Sequence, residues 1–192
     1  MGISLSKGQR ISLDKVAPGL EATMIGLGWD IKKVDTGVDF DLDTSIFMLG
    51  ANEKILSDSH FIFYNNPKSP DPNHSVEHLG DNLTGAGDGD DEVVLVNLKK
   101  IPADVHKLVF VVTIHDADLR SQNFGQVHNA FIRLVDVKNK TEVLRYDLTE
   151  DYSIETALIV AELYLKDGEW RMNAVGAGYQ GGLQALLNRY SD

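Results

Sequence analysis

The apolar residues of this chain come in short runs, and that limits its fold more than any other feature. The runs are rich in Val, Ile and Phe and end at Gly, Asp, Asn or Pro, which is the pattern of β-strands. Strands are predicted near 9–13, 22–29, 38–49, 60–64, 93–98, 107–115, 129–137, 142–147, 157–165 and 169–175. Lys166-Asp167-Gly168-Glu169 places an Asp-Gly turn between two runs, a hairpin signal. Lys138-Asn139-Lys140 reads as a second short turn. Only the C-terminus reads as a helix: after Gly181-Gly182, apolar residues recur at Leu183, Leu186, Leu187 and Tyr190, the spacing of one helical face. Ten short strands with turn signals predict an all-β fold, an antiparallel β-sandwich with a short C-terminal helix. A length of 192 residues suits one domain over 1–192, and 43% hydrophobic residues can fill its core. Residues 65–73 hold three of the five prolines and are expected to form an exposed loop.

Charge and composition exclude several functions. A net charge of −11 opposes nucleic-acid binding, because phosphates must be neutralised by Lys and Arg. It also opposes a permanently basic membrane-surface patch. The chain has no cysteine, which removes disulfides, zinc-thiolate sites and thiol catalysis and fits a reducing cytosol. No run approaches the length of a transmembrane helix. The start, MGISLSKGQRISL, has no apolar h-region or small-residue cleavage site, so no secretory signal is expected.

Residues 77–92, EHLGDNLTGAGDGDDE, carry six carboxylates, four glycines and no Lys or Arg. Glycine lets the backbone fold sharply and aim several oxygens at one point. Each pair of carboxylates about 7 Å apart costs roughly 2 kcal/mol at an effective dielectric near 20. Either a cation removes that repulsion or water screens it in a solvated loop. A hard-cation site built of oxygens, with Ca²⁺ as first choice, is the functional reading. A second cluster, WDIKKVDTGVDFDLD, spans 29–43. Asp39, Asp41 and Asp43 alternate there with Phe40 and Leu42, so the three acids share one face of a strand. Asp is a poor strand residue. The run leads into Thr44–Leu49, which reads as buried on both faces, so the acids mark the rim of a central strand. The two clusters hold 11 of the 29 acidic residues and are expected to share a cation site. Oxygens from separate loops at one end of a sandwich follow the strategy of C2 domains, an analogy of architecture.

Other motifs carry less. Asp81 to Glu92 has the length of an EF-hand loop, but Leu83, Gly85 and Ala86 occupy positions that motif reserves for other residues. His74-Ser75-Val76-Glu77-His78 matches H-x-x-E-H, yet prolines upstream and Gly80 downstream leave little room for the helix a zinc peptidase needs. His115-Asp116 ends a predicted strand and reads as an ordinary surface pair. The glycine-rich stretch 176–182 reads as a helix-entry turn rather than a phosphate cradle.

Nine segments, in order along nearly the whole chain, resemble the TerD family of bacterial tellurium-resistance proteins. They are GLGWD (26–30), DFDLD (39–43), HFIFYNN (60–66), GDNLTGAGDGDDE (80–92), FVVTIHDA (110–117), NFGQVHNAFIRL (123–134), YDLTEDYSIETA (146–157), GEW (168–170) and GYQGGL (178–183). The resemblance implies a Ca²⁺-binding β-sandwich in a bacterial stress-response system linked to tellurite, phage and colicin resistance. The family's calcium-binding acidic motifs match Asp30, Asp39, Asp41, Asp43, Asp81, Asp88, Asp90, Asp91 and Glu92. More than one ion is expected. Without cysteine, the chain could not reduce tellurite through its own thiols.

The resulting expectation is a non-enzymatic, cytoplasmic, calcium-binding stress protein. Its metal-organised acidic rim would dock other stress-response proteins or, through bridging Ca²⁺, the inner face of an anionic membrane. The alternative is a hydrolase using Mg²⁺ or Mn²⁺ at the same carboxylates. Such an enzyme also needs a placed acid or base and a cationic clamp. Near the clusters only Lys32, Lys33, His60, His78 and His115 offer those groups, in no recognisable arrangement. A third reading is a scaffold whose acidic loops serve solubility alone.

Overall fold

The computed structural model describes residues 2–31, 40–80, 89–148 and 152–191. They form two six-stranded sheets. The first holds, in spatial order, β1 (Ile3–Leu5), β10 (Thr141–Asp147), β9 (Val127–Asp136), β3 (Ala22–Ile31), β7 (Glu92–Asn97) and β6 (Val76–His78). The second holds β2 (Arg10–Ser12), β12 (Glu169–Tyr179), β11 (Ala157–Lys166), β8 (Lys107–Ile114), β4 (Leu42–Leu49) and β5 (Phe61–Ile62). Two helices of a single turn, α1 (Leu13–Val16) and α2 (Ala117–Arg120), punctuate the strands, and α3 (Gly182–Tyr190) closes the chain.

Each predicted strand overlaps an observed one. Strands β1 and β6 are additional, and at three residues each they are too short to show a period-two pattern. The sandwich is antiparallel as expected apart from one pairing: β1 runs parallel to β10, with Ile3 opposite Leu144 and Leu5 opposite Tyr146. The Asp-Gly hairpin is as expected. Asp167 and Gly168 both take positive φ, at 55° and 79°, and Lys166 faces Glu169 across the turn.

Alternation along the strands builds the core between the sheets. Strand β3 turns Ile25, Leu27 and Trp29 inward, β7 turns Val94 and Val96 inward, and β4 turns Leu42, Ile46 and Met48 inward. A second apolar cluster lies on the outer face of the second sheet, where Phe47, Leu49, Val109, Val111 and Ile159 pack against Leu186 and Tyr190 of α3. This explains why residues 44–49 lack alternation: one face meets the other sheet, and the other face meets the helix. Phe47 sits 4.7 Å from Phe61 and 4.9 Å from Tyr190, ring centre to ring centre.

Candidate metal centre

The described acidic residues of the two clusters meet at one end of the sandwich because of strand register. Leu27 of β3 faces Glu92, the first residue of β7. The remainder of β3 therefore runs past the start of β7 and alongside residues 89–91. Two bonds fix that contact: Asp91 N–H donates to the Leu27 carbonyl at 2.7 Å, and Trp29 N–H donates to Asp91 Oδ2 at 2.7 Å. Asp30, the last residue but one of the same strand, is exposed and accepts a bond from Asn129 Nδ2 at 2.7 Å. Burial pushes the Asp91 carboxyl above the usual carboxylate range. The Trp29 amide pulls it down, and the neighbouring charges of Asp30 and Asp90 push it up further.

Asp90 and Glu92 leave this group in opposite directions. Asp90 turns to the outer face of the first sheet, where both its oxygens meet the Arg133 guanidinium, at 2.7 Å to Nε and 2.9 Å to Nη2. Gly26 makes the crossing feasible, because a Cβ there would lie 2.2 Å from the Asp90 carboxyl carbon. Glu92 turns inward and is 1% exposed. Its Oε2 accepts from His78 Nε2 at 3.0 Å and from the Thr44 amide of β4 at 3.2 Å. Gly80 N–H donates to His78 Nδ1, so the proton on this imidazole sits on Nε2. Glu92 thereby ties the acidic end of the first sheet to that of the second.

On the second sheet, Phe40 and Leu42 are buried while Asp41 and Asp43 are partly exposed, as the alternation predicts. Asp43 Oδ2 lies 3.9 Å from His115 Nδ1, and the Asp41 carbonyl accepts from the His115 amide at 2.8 Å. Asp39, Asp81 and Asp88 lie outside the described residues. Among the described residues, no three His, Asp or Glu side chains are arranged together as metal ligands.

The donor set is nonetheless that of a hard cation: carboxylate oxygens, with no thiols. Asp30 and Asp91 suit such an ion: their like charges act on each other, and the partners they accept from, Asn129 and the Trp29 amide, are neutral. Asp90 is held by Arg133, and Glu92 by His78 and Thr44.

The remaining motifs have structural roles. Val76–His78 is a strand and His74 has φ 47°, so the H-x-x-E-H residues never share a helical face. Glu77 instead pairs with Lys68 at 2.9 Å. His115 Nε2 lies 3.3 Å from Asp116 Oδ2 on the surface. Gly181 and Gly182 form the helix-entry turn, with Gly182 N–H donating to Thr156 Oγ1 at 2.9 Å. No local pattern singles out Arg133 in the sequence, because its acidic partner lies 43 residues away. The usable signal was Gly26 and Gly28, which alternate with Ile25, Leu27 and Trp29 and leave one strand face bare.

The TerD domain profile matches residues 1–190. General stress protein 16U of Bacillus subtilis (strain 168) is 56% identical over 190 residues, covering 99% of this chain and 97% of its own. The tellurium resistance protein TerD of Serratia marcescens is also 56% identical over 190 residues, with the same two coverages. A solved homologue of telluride resistance protein (TerD) from Streptomyces coelicolor A3(2) superposes with a TM-score of 0.69 at 19% identity. It covers 88% of this chain and 96% of its own, and it shares the fold. With a profile spanning nearly the whole sequence and relatives of more than half identity over the same span, this chain belongs to the TerD family of tellurium-resistance and stress-response proteins.

Proposed function

We propose that this protein binds Ca²⁺ at its acidic end and, once loaded, presents that end as a docking surface for protein or membrane partners, without catalysing a reaction. The observation that carries this reading is the crowding at Asp91, a buried carboxylate pushed up in pKa by burial and by the charges of Asp30 and Asp90. A bound divalent cation supplies the positive charge that such a group lacks. Asp30 and Asp91 would hold it, joined by oxygens of Asp41 and of the acidic segments that lie outside the described residues. No catalytic role is assigned to His78 or His115: the first is engaged with a structural carboxylate and the second with two surface aspartates. The proposed setting is the cytoplasm and the inner membrane face. Among the described residues, no helix is long and apolar enough to cross a membrane.

Calorimetric titration after chelation tests the reading. Ca²⁺ is expected to bind at least roughly tenfold more tightly than Mg²⁺, which demands octahedral geometry and gives up water reluctantly. At a hundred times Kd, the gain of about 2.7 kcal/mol corresponds to a rise in Tm on the order of 6–10 °C. Equal melting in EDTA and in excess Ca²⁺ would remove calcium from the function. Tighter binding of Mg²⁺ would favour a hydrolase.

A further inference from the structure

We propose that Arg133 and Asp90 form a clamp that positions the calcium site, so that Asp90 acts as an anchor and not as a ligand. The inference rests on the calcium reading above and assigns roles within that site. Arg133 lies on β9 opposite Gly26, and Gly26 lies on β3 opposite Val93 of β7. Asp90, three residues before Val93, reaches across the bare backbone of Gly26 to a strand two places away. Its side chain is 6% exposed, and its two oxygens fit the two guanidinium nitrogens as a fork. A further contact braces the arginine: Nη1 lies 3.5 Å from Glu142 Oε2 on β10.

The clamp acts on the next residue. Fixing Asp90 over Gly26 fixes the peptide that carries Asp91, whose amide then bonds Leu27 and whose carboxylate then accepts from Trp29. Gly89 is drawn down as well, its carbonyl lying 2.9 Å from where a Gly28 Cβ would be. Two alternate glycines on one strand face thus form the seat, and Arg133 forms the latch. A carboxylate that already gives both oxygens to a guanidinium has little left for a cation, whereas Asp91 is held in place through Oδ2 alone in its bond from the neutral Trp29 amide.

This assignment has a sign opposite to simple electrostatics. If Arg133 only competed with the cation, removing its charge would strengthen Ca²⁺ binding. If Arg133 positions the site, removing it weakens binding, by roughly tenfold or more, as loss of a residue that orients metal ligands typically does. The experiment is calorimetric Ca²⁺ titration of wild type, Arg133→Gln, Arg133→Lys, Asp90→Asn and the Asp90→Asn/Arg133→Gln double variant, each confirmed folded. Amide hydrogen exchange at Trp29 and Asp91 is measured alongside in EDTA. The clamp predicts weaker binding for both Arg133 variants, the lysine included because it keeps the charge and loses the fork. It predicts a similar loss for Asp90→Asn, no further loss in the double variant, and faster exchange at both amides without metal. Binding by Arg133→Gln as tight as wild type or tighter would overturn it. So would an Asp90→Asn loss far beyond that of Arg133→Gln, which would make Asp90 a ligand. Wild type that binds no Ca²⁺ would instead overturn the calcium reading. The exchange rates then still decide the clamp, and unchanged rates would refute it.

Discussion

Asp91 is held by one amide and opposed by nearly everything else around it. Its carboxyl is raised by burial and by two like charges, against the single pull of the Trp29 amide. A raised carboxyl binds its proton more tightly in the folded chain than in the unfolded one. Stability from this group is therefore present at low pH, and it is lost as pH rises from the ordinary carboxylate range through the raised value. Without metal, the ionised form of Asp91 works against the fold. Asp91→Asn keeps an oxygen for the Trp29 amide and removes the charge. In EDTA the variant is expected to melt at or above the wild-type temperature. In excess Ca²⁺ the order should invert, because only wild type gains from the ion. Thermal melts of both proteins in both buffers check this. A variant that melts well below wild type in EDTA would show that the charge was not the source of the cost.

At the scale of elements, α3 turns one face of the second sheet into a second core. Tyr190 is 4% exposed there, against Phe47, and burial pushes its phenol up to about 12. The neutral phenol is favoured in the folded state, so its contribution is complete below the ordinary tyrosine value near 10 and fades as pH rises toward about 12. A shift of that size is worth roughly 2–3 kcal/mol. Tyr190→Phe cannot ionise and should lose less stability over that interval, as read by denaturant unfolding at a series of alkaline pH values. Parallel curves for the two proteins would place the helix's alkaline sensitivity elsewhere. The helix and the strands it covers were legible in sequence, since Leu183, Leu186, Leu187 and Tyr190 keep helical spacing and residues 44–49 read as buried on both faces. Strand β6 was not, because Val76–His78 is defined by register with β7 rather than by its own pattern. The parallel entry of β1 was hidden for the same reason. The acidic residues were legible as chemistry, but their directions were not. Asp90 pointing outward to Arg133 and Glu92 pointing inward to Thr44 depend on partners 43 and 48 residues away, and no local pattern encodes either contact.

Over the whole molecule, the charge is both large and uneven. The net value is −11, and two segments hold 11 of the 29 acidic residues. Register brings the described parts of those segments to one end of the sandwich, through Leu27 beside Glu92 and Glu92 bonded to Thr44. Leu79 follows β6 at that same end, tied by its amide to Val93, and its side chain is 55% exposed. A metal-free end of this kind repels an anionic bilayer, and repulsion acts over about 8–10 Å at physiological salt. On the proposed calcium reading, each Ca²⁺ bound there would add two positive charges and leave coordination positions that lipid carboxylates or phosphates can fill. The exposed leucine then adds apolar contact to a surface that is no longer repelled. Cosedimentation with phosphatidylserine vesicles is accordingly expected only with Ca²⁺, is expected to reverse with EDTA, and should weaken as salt rises. Phosphatidylcholine vesicles should not bind in either state. Leu79→Ser should weaken the phosphatidylserine interaction while leaving Ca²⁺ affinity unchanged, because Leu79 offers no oxygen donor from its side chain. Binding that survives EDTA would place the membrane-facing surface away from the acidic end. Failure to bind with Ca²⁺ present would leave protein partners as the only targets for that surface.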